Sequence, residues 1–381
     1  MILRFPPAPL VAFVGFAALA ALGCSSRTPL SKEQLGALMF VDPGLSNPEG
    51  QACADCHTAR AAFRDPESSR STSMGVIPGR FGQRNAPSAM YASFVPKLHR
   101  DDRGRWVGGL FWDGRAGNLE EQAGVPLLNP LEMNHPDRAS VVTAVRRASY
   151  APAFRVLFGA DVFVDVDVAF DHIVETFAAY ERGPEFAPFS SRYDHYLAGT
   201  LRLTASEQRG LEIFENPARG NCASCHPSRP GADGMPPLFT DHSYANIGIP
   251  RYDNSKFYLQ QPAYNPEGQQ FVDHGLMTTV KDAAQDGKFR VPTLRNITET
   301  PPYGHNGYFE NLSYLLDFLN TRDIGSYDVG TCTRSARHAR CSWPGPEVTA
   351  TVDHSIGNLG LTAQDLADLL AFLGTLTDQP E

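Results

Sequence analysis

Long apolar runs are almost missing from this chain of 381 residues. The one clear run, residues 10–23 (LVAFVGFAALAALG), is too short to cross a bilayer comfortably, so no membrane-spanning segment is read there. An excess of positive charge is missing too. Lys and Arg number 33 against 42 Asp and Glu, a net charge of −9. That balance leaves no basic stripe for a nucleic-acid backbone. Strand signals are few and short, which excludes a fold built on sheets. Bulk hydrophobicity is not lacking. At 42% it is ordinary for globular cores and argues against global disorder.

The short run has the form of an export signal. Arg4 is the only positive charge ahead of it, and it runs into Ala21-Leu22-Gly23-Cys24-Ser25-Ser26. This reads as a lipoprotein signal over residues 1–24, with Cys24 lipidated and the lipid as the only membrane attachment. The expected location is the periplasm.

Cysteine is sparse, 7 in all, but four of the seven fall in two copies of one pattern. Cys53-Ala54-Asp55-Cys56-His57 recurs as Cys222-Ala223-Ser224-Cys225-His226. C-x-x-C-H is the attachment pattern of a c-type haem, with two thioether bonds and the histidine as proximal iron ligand. A zinc site would need four ligands packed together. A redox dithiol does not call for histidine beside its second cysteine. Two covalent haem c groups are therefore expected, and their propionates would make the protein more acidic still. Two other cysteines, Cys332 and Cys341, have eight residues between them in a Gly/Ser/Arg-rich loop. In an oxidising compartment they read as a local disulfide.

The chain also repeats itself. Residues 30–40 (LSKEQLGALMF) and 203–214 (LTASEQRGLEIF) share Glu-Gln, then Gly, then Phe: Glu33, Gln34, Gly36, Phe40 and Glu207, Gln208, Gly210, Phe214. Each reads as a capped amphipathic helix leading into a C-x-x-C-H turn. Further helices are predicted at 137–149, 167–182, about 311–321 and 362–376, between long loops dense in Gly and Pro at 60–118, 227–310 and 323–360. The fold class is thus mainly α, with two cytochrome c-like helical domains, each holding one haem, and little β. The boundary is placed in the Pro/Gly-rich Arg182–Ser191 break, giving domains at 25–186 and 187–381.

Five ordered strings then carry a resemblance: RNAPS (84–88), FWDGRAGNLEEQA (111–123), NPLEM (129–133), FRVPTLRN (289–296) and PPYGHNG (301–307). With the two haem motifs, the sequence resembles the bacterial dihaem cytochrome c peroxidases and their MauG-type relatives over nearly all of the mature chain. The resemblance implies a peroxidatic haem in the N-terminal domain and an electron-transfer haem in the C-terminal one. It implies that Glu132 is the acid–base residue, that Gln122 hydrogen-bonds bound oxygen, and that Trp112 lies between the haems. It places His305 close to the second haem and implies an interdomain calcium ion at Asn85, Thr300 and Pro302. Peroxide cleavage needs a proton moved from the near oxygen to the far one, which suits a carboxylate in a protected pocket.

Two departures from the family pattern shape the reading. Many members have a histidine before RNAPS that caps the peroxidatic iron, but here that position falls near Val76. No histidine occurs between His57 and His99. A resting N-terminal haem that is five-coordinate or water-bound is expected, unless His99 swings in. The family's sixth ligand to the second haem, Met or Tyr, falls at Leu319, which cannot ligate iron. That haem is either five-coordinate or reached by another group such as Met277. The function expected is reduction of hydrogen peroxide with electrons from a small donor, a cytochrome c or cupredoxin, in a chain that forms a homodimer as relatives often do. A MauG-type oxidase acting on a protein or organic substrate is the second reading. A non-catalytic dihaem carrier or redox sensor is the third.

Overall fold

The computed structural model describes residues 29–379 except 68–69, 233 and 325–342. The expected signal with Cys24, and the expected Cys332–Cys341 disulfide, lie outside the described residues. No helix among the described residues is long and apolar enough to cross a membrane.

Eleven α-helices are described: α1 (Lys32–Phe40), α2 (Cys53–Cys56), α3 (Leu119–Leu128), α4 (Arg138–Arg147), α5 (Ala151–Phe158), α6 (Val166–Glu181), α7 (Arg192–Leu197), α8 (Ala205–Glu215), α9 (Met277–Val280), α10 (Leu312–Thr321) and α11 (Ala363–Gly374). The helix starts follow side-chain chemistry. Ser31 with Gln34, Thr204 with Glu207 and Thr362 with Asp365 form reciprocal capping boxes, which satisfy two otherwise unpaired backbone N–H groups each. Asp137, Asp165 and Asn311 cap α4, α6 and α10.

Among the described residues, strand is confined to two two-residue ladders, β1 (His99–Arg100) with β2 (Trp106–Val107) and β3 (Tyr244–Ala245) with β4 (Phe289–Arg290), both antiparallel. The fold is mainly α, as the sparse strand signals implied.

The repeat has a structural reason. A Cβ on Gly36 would stand 2.3 Å from the Thr176 carbonyl oxygen of α6, and one on Gly210 would stand 2.1 Å from the Asp368 carbonyl oxygen of α11. In both copies the glycine lets two helix backbones cross in contact, α1 over α6 and α8 over α11. Replacing either with alanine is expected to force the helices apart at a cost of about 1–3 kcal/mol, read from urea unfolding of the holoprotein.

Each crossing pair anchors its own core. One joins Leu35, Met39, Phe40, Phe154, Phe170, Phe177 and Phe186; the other joins Tyr193, Phe214, Phe239, Phe309, Phe318 and Phe372. Every buried residue of the first cluster falls within Leu35–Phe186 and every one of the second within Tyr193–Leu376.

The two helical domains meet through the loops. Asn85 N–H donates to His305 O at 2.8 Å, Arg290 N–H to Trp112 O at 2.8 Å, and Tyr244 Oη–H to Gly108 O at 2.7 Å. Arg84 lies between Asp113 and Asp273, 2.7 Å from each, with all three side chains at most 10% exposed.

Candidate functional site

Each C-x-x-C-H turn is a short helical turn followed by a histidine whose ring is fixed by a main-chain carbonyl. His57 Nδ1 donates to Phe63 O at 2.9 Å and His226 Nδ1 to Phe239 O at 2.7 Å. A carbonyl only accepts, so Nδ1 carries the proton and Nε2 keeps its lone pair for a metal. Burial lowers both histidine pKa values, although the nearby carbonyls act against it, and the rings are neutral as an iron ligand must be. Burial also pushes the Cys56 and Cys222 thiols up to about 12, and Cys53 higher.

The space beside the second turn fits a haem. A cavity of about 300 Å³ is lined by Cys222, Cys225 and His226. Its walls include Leu312, Leu315, Leu316 and Leu319 of α10 with Leu359, Leu369 and Leu373. They also include Trp112, His242, Arg290 and His305, and the carboxylates Glu347 and Asp353. Arg290 has no carboxylate partner among the described residues. Its guanidinium donates to Phe111 O at 3.2 Å, and burial lowers its pKa. His305 is 4% exposed and lies flat on Phe289, ring centroids 3.5 Å apart. Neither of its ring nitrogens has a hydrogen-bond partner. A buried cation without an anion, beside an unsatisfied imidazole, is what the propionate edge of a haem would complete. Haem c therefore fits here, with its apolar body among the leucines. Replacing Cys222 and Cys225 together with Ala is expected to lower the pyridine-haemochrome count from two haems per chain to one.

At the first turn, Gln51 Nε2 donates to Met74 O at 2.8 Å, which ties the turn to the loop carrying Val76. Val76 N–H donates to Glu132 O at 2.9 Å. A Cβ on Gly75 would stand 2.2 Å from Leu131 O, so this glycine lets the loop lie directly on the NPLEM segment. Val76 is thus brought beside Glu132 and near the Cys-x-x-Cys-His turn. Glu132 is half-buried. Burial raises its pKa, while the Asn129 amide, donating at 2.7 Å, and the Arg115 charge act the other way. Gln122 is half-buried on α3. His99 is exposed on β1, its Nδ1 bound to Lys97 O at 2.8 Å.

The remaining expected residues fall as follows. Trp112 lines the cavity at the junction of the domains and donates from Nε1 to Asn85 O at 2.8 Å. Asn85, Thr300 and Pro302 line the same cavity; the Asn85 amide N–H donates to Pro302 O at 2.7 Å. A cation there would need that amide turned to present its oxygen. No three His, Cys, Asp or Glu side chains converge on a metal position among the described residues. Leu319 lines the cavity, whereas Met277 is not among its walls. Sequence reading did not single out Arg290, His242 or Asn129. Arg290 and Asn129 lie inside the quoted strings FRVPTLRN and NPLEM, but isolation from carboxylates is a property of packing that no local string carries.

The family profile described as di-haem cytochrome c peroxidase matches residues 30–202. The methylamine utilization protein MauG of Paracoccus denitrificans is 38% identical over 353 residues, 91% of this chain and 88% of that protein. The cytochrome c551 peroxidase of Nitrosomonas europaea is 29% identical over 287 residues, 75% of this chain and 72% of that one. Among solved structures, the diheme peroxidase BthA of Burkholderia thailandensis superposes with a TM-score of 0.76 at 32% identity, covering 92% of this chain and 87% of that chain. A MauG-like protein associated with microbial copper homeostasis gives 0.66 at 31%, covering 92% and 91%.

Proposed function

The chain belongs to the di-haem cytochrome c peroxidase family and is an oxidoreductase, and on that premise we propose that it reduces hydrogen peroxide to water with electrons from a small periplasmic donor protein. Haem c bound at His57 would supply the redox chemistry of O–O cleavage. The observation that carries the reading is Glu132, a half-buried carboxylate packed against the Val76 loop, held by Asn129 and raised in pKa by burial. Glu132 takes the proton from the near peroxide oxygen and returns it to the far one. Gln122 would hydrogen-bond the peroxide. Val76 has no ligating atom and leaves the site open at rest. Electrons enter at the domain of His226 and pass by Trp112, whose ring is fixed by its bond to Asn85 O. A calcium ion at Asn85, Thr300 and Pro302, a homodimer, and domains meeting near residues 186–187 belong to the same proposal.

A second reading, an oxidase of MauG type acting on a protein or organic substrate, is favoured by the 38% identity to the Paracoccus protein. Leu319 argues against a strict copy, because the Tyr ligand implied for that type is replaced. Rapid mixing of the dihaem protein with peroxide, with and without a reduced cytochrome c, separates the readings. Sustained oxidation of the donor is the expected result. A long-lived oxidised spectrum without donor turnover would favour the oxidase. No spectral reaction from oxidised or half-reduced protein would overturn both and leave a carrier or sensor.

A further inference from the structure

Glu132 sits in a turn that a second segment grips from outside. Within the turn, Glu132 N–H and Asn134 N–H donate to Asn129 O at 3.0 and 2.9 Å, and Leu131 N–H donates to the Asn129 side chain at 3.0 Å. The gripping segment, 73–82, is itself closed, with Gly75 N–H on Arg80 O and Gly82 N–H on Ser73 O, each at 2.9 Å. Its outgoing limb gives the main-chain bond from Val76 to Glu132. Its return limb gives Arg80, whose Nη1 donates to Pro130 O at 2.9 Å and to Asn134 Oδ1 at 2.8 Å. These acceptors belong to the residues two before and two after Glu132. One guanidinium nitrogen with two hydrogens spans them, which a flexible point charge would do less rigidly.

Arg80 is in turn held from the other domain. Its guanidinium carbon stands 4.6 Å from the centre of the Tyr264 ring, and Gln260 Nε2 donates to Gly79 O at 3.1 Å. Tyr264 is fixed by its own loop. Its N–H donates to Gln261 O at 2.8 Å, and the next residue, Asn265, is 2% exposed and donates to both Phe257 O and Gly268 O. A half-buried cation stacked on an aromatic face is attracted to it, so the ring restrains the guanidinium while it holds its two acceptors.

Resting on the proposed role of Glu132, we propose that Arg80 is a positioning residue for that carboxylate and that Tyr264, from the C-terminal domain, locks Arg80 in place. The peroxide site is then not complete in the N-terminal domain alone. Arg80 acts by shape and not by charge: the cation acting on Glu132 is Arg115, from the loop before α3. The grip keeps the carboxylate where the Asn129 amide reaches it. A displacement of about 1 Å at a reacting group can cost about 10²-fold in rate.

The test is a pair of double-mutant cycles on protein carrying both haems, read by stopped-flow mixing with peroxide. Tyr264→Leu and Arg80→Ala should each slow the reaction by about 10–100-fold. In the Glu132→Gln background neither should slow it by more than about twofold, since the group they position has already lost its proton chemistry. Tyr264→Phe keeps the ring face and should recover most of the rate lost in Tyr264→Leu. Slowing by the same factor in both backgrounds would show a general loosening of the fold and overturn the inference. Wild-type rates in Tyr264→Leu and Arg80→Ala beside a slow Glu132→Gln would overturn the inference alone. A Glu132→Gln protein as fast as wild type would overturn the proposed function, and the inference with it.

Discussion

Glu132→Gln slows the reaction of the dihaem protein with peroxide by about 10²–10⁴-fold, the usual worth of a positioned acid–base group, while both haems remain attached. The amide keeps the size of the carboxyl and can still meet Asn129, so the change removes proton transfer and little else. The pH dependence has a definite sign. Glu132 acts as a base and must be ionised, yet burial raises its pKa above the ordinary carboxylate range. The wild-type rate therefore falls as pH drops through that raised pKa, and the residual rate of Glu132→Gln lacks this limb. Stability moves the other way. As pH rises through the raised pKa the fold must hold a buried charge, a cost that the amide does not carry, so the variant is at least as stable at neutral pH. Stopped-flow rates across pH, with urea unfolding at pH 7, check both. A variant that reacts with peroxide at the wild-type rate would remove Glu132 from the mechanism.

Arg84→Met is expected to cost about 3–5 kcal/mol of stability, because it leaves the buried Asp273 carboxylate without its cation and Asp113 with only the more exposed Arg115. The guanidinium meets Asp273 through two hydrogen bonds of 2.7 Å and Asp113 at 2.7 Å. Despite burial, which alone would raise it, Asp273 is held far below the usual carboxylate range, first by the Arg84 charge and hydrogen bonds and then by His305. A depressed pKa gives stability that is fully present above the ordinary Asp value of about 4 and is lost as pH falls below it. In Arg84→Met that slope reverses: Asp273 now gains a proton on acidification and sheds its burial cost. Denaturant midpoints at pH 7 and pH 5 report the difference, and Asp273→Asn in the same chain should recover part of the loss. Equal midpoints for wild type and Arg84→Met at pH 7 would show the triad to be energetically neutral.

Much of this molecule was legible in the sequence, and the reasons differ from element to element. Helices α1, α8 and α11 were legible because their capping boxes and apolar spacing are local. The repeat was legible as a string, but only the close helix crossings explain why Gly36 and Gly210 stand where they do. Helix α3 was not predicted, since Gly124 and Pro126 inside it contradict local propensity and packing on α6 overrides them. Helix α5 was obscured by Pro152 near its start, where proline is in fact well tolerated. The expected opening of α6 at Asp167 moves to Asp165, whose side chain accepts from the N–H groups of both Asp167 and Val168. Residues that share a string with a recognisable motif could be proposed from the sequence: Glu132, Gln122, Trp112 and the two Cys-x-x-Cys-His turns. Those defined by what surrounds them could not. The solitude of Arg290 and the unsatisfied nitrogens of His305 exist only once distant loops have met.

The two cores, one drawn wholly from Leu35–Phe186 and the other from Tyr193–Leu376, also set an order in time. A chain delivered from its N-terminus has its first core complete before most of the second has emerged. Its first Cys-x-x-Cys-His turn can be buried and loaded while residues 222–226 are still unpaired. The junction at Arg84, Asn85 and Trp112 must wait for later partners, and so must Tyr91 and Arg64, which bond to Asp378 and to Glu299 O. Maturation can thus proceed as two short, independent episodes joined by one late docking step, and a stalled second episode would leave a folded, single-haem intermediate in place of an unfolded chain.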